Sequence, residues 1–390
     1  MQISVSRVFV ICLLGLLVIS TLCLASIYWG IYGYSNMFGD FHVFHDAARH
    51  AVMRQWSDIY DVERLRSVVK HGIVKELSFF LNPPTGLLLI YPLGFLTAAP
   101  ALALWTTVQL ALLYAVLRMD DMQRLFAPSV RPAINTNVLL IIPFIAFSLL
   151  NFLYGQVAVL CTALFLLVFL WRKPHPVMAG IVLGIFSFKP QLGVLLPLLL
   201  LAEKNWVTLT IAAISACTLT GLSVLIFGAG LWRDYHETVR ILGYFLAKDQ
   251  SDLFAITTSV YAAFRSLGAP ANLALGLQAV TAFTIAFWIW PVLRGKEESH
   301  KILMLALATY LVTPYSLVYD MPLIALPVAF LLHRTEVNAA AFPELITLVL
   351  LILIPLVTIL LQIMHIPYSV IAIGLALIVA RKLILKEQRG

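Results

Sequence analysis

Apolar residues run in long unbroken stretches along this chain, separated by short polar turns. Thirteen such segments can be marked, at about 8–29, 84–97, 101–117, 135–151, 156–171, 176–188, 190–202, 206–228, 272–293, 301–313, 318–333, 344–364 and 368–383. Continuous runs read as membrane helices. A helix needs about 20 mainly apolar residues to cross the ~30 Å hydrocarbon core, and it satisfies its own backbone groups there. The alternating pattern of a transmembrane barrel is not seen. Several segments are short, which predicts tilt, or helices broken by proline and glycine around a polar cavity.

Two polar stretches, 30–82 and 229–271, are long enough to fold outside the membrane. The first carries six basic and six acidic side chains and four histidines. Phe41, Phe44, Ala48, Val52 and Trp56 fall at helical spacing, and so do Leu65, Val68, Val69, Ile73 and Leu77. They predict two amphipathic helices lying on the membrane surface. Residues 255–267 predict a third.

Composition agrees with this pattern. Of 390 residues 61% are apolar and 12% charged, with a mean hydropathy of +0.95. A soluble domain carries about a quarter charged residues. A water-soluble globule, a disordered chain and a fibrous repeat are therefore excluded, leaving an all-α polytopic membrane protein. The net charge of +7 reads as Lys and Arg retained in cytoplasmic loops, not as a nucleic-acid surface. Cys12, Cys23, Cys161 and Cys217 all lie inside apolar runs without metal-type spacing and read as small core residues. Residues 8–29 are too long for a signal-peptide core and read as a retained first span.

The basic linkers are Arg118–Arg131, Arg172–Lys173, Glu203–Lys204, Arg294–Lys301, His333–Arg334 and the tail Arg381–Arg389. Alternation of spans from residue 135 onward puts all of them on one side, which is then cytoplasmic. The bias is kept only if 84–117 crosses once in net terms. About 12 crossings (range 11–13) with both termini inside are expected, in one integral membrane domain over 1–390. The opposite side receives 30–82, 151–156, 189–191, 229–271, 313–320 and 365–368.

Polar groups near a bilayer are costly and therefore informative. Asp40 stands just before the first predicted amphipathic helix, where it reads either as an N-cap or as a carboxylate base. His42, His45, Asp46 and Arg49 follow at i, i+3, i+4 and i+7 on one face. Two histidines and an aspartate could hold a metal, but no third or fourth ligand stands at a standard spacing, and solvent or substrate contacts fit better. Asn82-Pro83-Pro84 marks the return into the membrane, and Tyr154-Gly155-Gln156 a short external turn. Lys189-Pro190-Gln191 puts a cation between two apolar segments, to snorkel or to meet a phosphate. Thr313-Pro314-Tyr315-Ser316, with Tyr319-Asp320, adds aromatics suited to a sugar wall beside an aspartate that reads also as an N-cap. All these clusters share the predicted external face. A pocket there, with carboxylates, a cation and aromatics, suits sugar transfer from a lipid phosphate.

The residues GDFHVFHDAARHAVMRQWSDIYD, NPPTGLLLIYPLGFL, NFLYGQVAVL, AGIVLGIFSFKPQLGVLLPLLLL, SVYAAFRSLGAP and TPYSLVYDMPLIALP, in this order over roughly residues 30–330, resemble glycosyltransferase family 87. This set of multispanning GT-C-type enzymes includes mannosyltransferases that use polyprenyl-phosphate mannose. The resemblance implies a hexosyltransferase of the inner (plasma) membrane, active at its external face. A polyprenyl-phosphate sugar would be the donor, a lipid or glycan the acceptor, and membrane lipids the surroundings. It implies inverting transfer without metal or other cofactor, and Asp40 as the general base. Substrate contacts are expected from His42, His45, Arg49, Tyr154, Gln156, Lys189, Gln191, Arg265, Tyr319 and Asp320. No DxD motif stands in an extramembrane domain and no P-loop is present. A lipid-linked glycan flippase or transporter is the alternative of another class, but the spans are mostly clean and no repeat is seen. An oligosaccharide polymerase or ligase is the third reading, although the longest external loop here follows the first span.

Overall fold

Helices account for the regular structure of the computed structural model, which describes residues 5–32, 39–71, 79–125, 136–248, 257–336 and 341–387. Among these residues there is no strand, only a lone antiparallel bridge between Thr257 and Leu317. Four described helices are long and apolar enough to cross a membrane: Ala98–Leu117, Trp206–Phe227, Ala271–Leu293 and Tyr368–Glu387. Seven shorter apolar helical stretches accompany them. The Pro84–Ile90 helix continues as a 3-10 turn over Tyr91–Phe95. Its length of about 20 Å is less than the hydrocarbon core, and in the 84–117 region Ala98–Leu117 is the helix long and apolar enough to cross by itself.

Burial sorts the helices. Every residue from Ala158 to Leu170 of the Ala158–Trp171 helix is buried, as is most of Glu298–Val312. The long apolar helices stand around this centre. Leu225, Phe283 and Phe287, at 82%, 78% and 85% exposed, point away from the protein. In water such side chains would be a liability, but against lipid tails they cost nothing. The same reason corrects the reading of the cysteines: Cys161 is buried, whereas Cys12, Cys23 and Cys217 lie on outward faces.

The central helix ends in two different polar settings, about 21 Å apart over its 14 residues. At its C-terminal end Arg172, 2% exposed, bonds Glu203 at 2.7 Å and also Glu298. Lys301 pairs with both carboxylates, and Lys173 reaches Glu298 at 2.6 Å. His300 and Arg334 meet at Glu387, each at 2.8 Å, and Arg334 also bonds Glu344 at 2.9 Å. The linkers at 172–173, 203–204, 298–301 and 334, and the C-terminal helix, therefore share one end of the bundle. Burial pushes the Glu298 carboxyl up, but Arg172, Lys173 and Lys301 outweigh it and bring it down to about 2.

The polar stretch after the first span forms the helices Gly39–Val52, Trp56–Tyr60 and Val62–His71. Phe41, Phe44, Ala47, Ala48 and Ala51 are the buried apolar face of the first. A Cβ on Gly94 would lie 2.4 Å from the carbonyl oxygen of Ala48, so the 3-10 turn meets this helix at backbone contact. The second polar stretch differs from expectation. Ala229–Lys248 is one helix of 20 residues, which the sequence reading left without an element. The expected helix over 255–267 is shorter, Val260–Ser266, with Ser259 Oγ accepting from the Ala262 amide at 3.2 Å. Residues 249–256 lie outside the described part.

Candidate active site

The other end of the central helix opens into a chamber of about 220 Å³. Its polar wall is Asp40, Asn82, Tyr154, Gln156, Lys189, Gln191, Tyr315 and Tyr319. Its apolar lining is Val43, Phe44, Leu65, Phe79, Leu81, Leu242 and Leu317. Each of the five polar clusters singled out in the sequence contributes to this one space.

Asp40 lies in the first turn of Gly39–Val52, where a carboxylate meets the positive end of the helix. Its Oδ2 accepts from Gln156 Nε2 at 2.7 Å. That amide depends on the turn before it. Gly155 has φ +72°, and a Cβ there would stand 2.4 Å from Cβ of Phe41, so only glycine lets the turn close on the Asp40 helix. Buried amides and an indole fix the turn from behind. Trp105 Nε1 donates to the Gly155 carbonyl at 3.2 Å, and Gln109 Nε2 to the Gln156 carbonyl at 3.0 Å. Asn151 Oδ1 accepts from the amides of Ala158 and Val159, at 2.6 and 3.3 Å, and Gln109 Oε1 from Leu160 at 3.3 Å. These side chains cap the central helix at its buried start, where unpaired N–H groups would be expensive.

Lys189 stands between two 3-10 turns, Phe186–Phe188 and Pro190–Leu192. Its Nζ donates to Asp320 Oδ1 at 2.5 Å, and both side chains are nearly buried, at 8% and 1% exposed. Nζ also lies 5.6 Å from the centre of the Tyr319 ring, which packs 5.1 Å from that of Tyr154. Asp320 Oδ2 accepts from the Leu317 amide at 3.0 Å, so the carboxylate does serve a backbone donor while it pairs with the lysine. Thr258 pairs with Ser316 through its amide at 2.8 Å and its hydroxyl at 2.8 Å, tying the Tyr315–Asp320 segment to the second polar stretch.

Burial raises the Asp40 carboxyl above its ordinary value. Gln156, the Lys189 charge and Tyr319 pull it down, while Asp320 adds to the rise. The arrangement is a carboxylate with an elevated proton affinity, held by one amide and facing the chamber. A group of this kind is suited to taking a proton from a hydroxyl.

Tyr154, Gln156, Lys189, Gln191 and Tyr319 line the chamber with Asp40, and Asp320 sits behind Lys189. Four other expected contacts do not line it. His42 and Arg49 are exposed, on the side of their helix away from its buried face. His45 is buried, stacks on Phe41 and bonds the Leu96 carbonyl at 2.9 Å, as a core histidine. With His45 turned inward and His42 and Asp46 exposed, the three do not converge on a metal. Arg265 donates to the carbonyls of Ala269 and Ala247, at 2.8 and 3.1 Å, and ties a loop to a helix. The sequence reading missed Gln109, Asn151 and Trp105, although each is a polar-capable side chain inside or at the end of an apolar run.

A family model described as glycosyltransferase family 87 matches residues 80–318. The chain belongs to glycosyltransferase family 87. The match spans more than half of the chain and contains Tyr154, Gln156, Lys189 and Gln191, whereas Asp40 precedes it and Asp320 follows it. No curated protein and no solved structure matches the chain. Family membership makes this all-helical, apolar chain a membrane glycosyltransferase.

Proposed function

We propose that the protein transfers a hexose, mannose-like, from a polyprenyl-phosphate sugar to a hydroxyl of a lipid or glycan acceptor. The observation that carries the reading is the half-buried Asp40 carboxylate, bonded to Gln156 at 2.7 Å, in a chamber that also presents Lys189 and three tyrosines. Asp40 takes the proton of the acceptor hydroxyl as that oxygen attacks the anomeric carbon. The bond from the anomeric carbon to the phosphate oxygen breaks on the opposite side, with inversion. The lipid phosphate leaves with the electron pair, and Lys189 balances its charge. The tyrosines, Asn82 and Gln191 offer hydrogen bonds and ring faces to a sugar.

The dimensions support a head group only. A space of about 220 Å³ is below the ~300–1,000 Å³ of drug-sized sites. The lipid tail then lies outside it, next to the apolar wall of Leu65, Phe79, Leu81 and Leu242. We place the chamber at the external face of the inner membrane, because the ion-paired basic linkers gather at the opposite end of the central helix and such linkers stay cytoplasmic. About 12 crossings complete this arrangement, the short apolar helices being tilted or broken around the chamber.

The test is transfer by purified protein supplied with a panel of polyprenyl-phosphate sugars and candidate acceptors. Asp40→Asn should abolish transfer and leave the melting temperature and donor binding near wild type. Transfer at the wild-type rate by this variant refutes the role of Asp40, and absence of transfer from every lipid monophosphate donor refutes the donor class.

A further inference from the structure

One charged group of the site does not line the chamber. Asp320 is 1% exposed and lies behind Lys189. Its place is fixed from three directions. The Leu317 amide donates to its Oδ2 at 3.0 Å, its own amide donates to the Leu317 carbonyl at 2.8 Å, and the Tyr310 hydroxyl donates to its carbonyl at 2.7 Å. Lys189 is different, for its Nζ pairs with Asp320 while the residue itself lines the chamber. A buried ammonium without a partner is strongly unfavourable, so the carboxylate is what lets a lysine stand in this wall. The same carboxylate weakens the pull of the lysine on any anion in the chamber. A phosphate that approaches Nζ must share it with a fixed negative charge one hydrogen bond away. Asp40 is a second carboxylate in the same space, and Lys189 is the one cationic side chain among the lining residues.

We propose that Asp320 is a positioning residue that presents the Lys189 ammonium to the chamber and limits its hold on the lipid phosphate, so that the phosphate left after transfer is released. The proposal rests on the lipid-phosphate donor argued above. It carries a sign opposite to that of a purely structural carboxylate: removing the charge of Asp320 tightens phosphate binding.

The experiment measures binding of decaprenyl phosphate, and of decaprenol as the uncharged control, to the full-length protein in detergent micelles. Wild type is compared with Asp320→Asn and Asp320→Ser, each also made with Lys189→Met. Asn and Ser keep an oxygen for the Leu317 amide. In either neutral variant the dissociation constant for decaprenyl phosphate should fall about tenfold, with no change for decaprenol. In the Lys189→Met background the effect should vanish, because it acts through the lysine. In transfer assays KM for the donor and kcat should fall together, as release becomes slow. Unchanged or weaker phosphate binding by the neutral variants overturns the proposal. So does failure of both to fold, since the carboxylate would then serve the fold. Wild-type protein that binds decaprenyl phosphate no better than decaprenol instead overturns the donor class, whatever the Asp320 variants do.

Discussion

Replacing Gln156 with leucine removes the amide that faces Asp40 Oδ2 at 2.7 Å and leaves the volume nearly unchanged. Burial already raises the Asp40 carboxyl above 3.8, and the Gln156 bond is the largest influence pulling it back. A hydrogen bond to an ionised group contributes about 1.5–3 kcal/mol, and 1.36 kcal/mol corresponds to one pH unit. The variant should therefore protonate at higher pH than wild type. In the proposed reaction Asp40 acts as a base only when ionised. The acid limb of the kcat/KM profile should move to higher pH, while the rate on the alkaline side recovers most of its wild-type value.

Stability gives an independent reading of the same bond. A carboxyl whose folded-state pKa is raised binds protons more tightly in the folded state than in the unfolded one. Its ionisation then costs stability as pH rises from 3.8 through the folded-state value. Loss of the Gln156 donor widens that window. The melting temperature of Gln156→Leu should lie below wild type near neutral pH and approach it under acid conditions, where a protonated Asp40 needs no donor. The assay is transfer from the proposed polyprenyl-phosphate donor across a pH series, with melting curves in the same buffers. A uniform loss of activity at every pH, with the acid limb unmoved, refutes the reasoning and makes Gln156 a contact to substrate.

Three further outcomes follow from the geometry. Gly155→Ala puts a side chain at φ +72° and 2.4 Å from Cβ of Phe41, which should cost at least about 1–2 kcal/mol and displace Gln156. A melting temperature and transfer rate equal to wild type would show that the turn has room to move. Arg172→Met removes a 2% exposed cation from Glu203 and Glu298, which keep Lys301 and Lys173, and should destabilise by about 1–3 kcal/mol. Adding Glu203→Gln and Glu298→Gln should deepen the loss, because Lys301, 3% exposed, then has neither carboxylate partner, as measured by thermal unfolding in detergent. Wild-type stability should itself decline as pH falls from 4.5 toward about 2, where Glu298 protonates and its ion pairs are lost.

What the chain disclosed in advance, and what it withheld, follows from where polarity is costly. In an apolar chain an ionisable side chain stands out, and the Asp40, Tyr154-Gly155-Gln156, Lys189 and Tyr319-Asp320 segments could be marked because lipid would penalise them without a shared wet space. Their meeting in one chamber needed only the charge bias of the linkers, and the ion pairs among Arg172, Glu203, Glu298 and Lys301 gather those linkers at one end of the bundle. Distance along a helix face was a poorer guide. His42, His45 and Arg49 share one face, yet His45, nearest the Phe41–Ala48 stripe, is buried while the other two are exposed. The Ala229–Lys248 helix was overlooked although Leu231, Tyr235, Leu242 and Phe245 repeat at helical spacing, because its many charges resemble a solvated loop. That omission hid Leu242, and with it part of the apolar wall. The supporting amides were hidden for another reason. Gln109 and Asn151 are uncharged, and a lone amide in a span reads as tolerated polarity until the N-terminus of the Ala158–Trp171 helix is found beside it. Charge therefore marks the chamber, while neutral amides and one glycine, which sequence scarcely distinguishes from the background, decide how the Asp40 carboxylate is held in it.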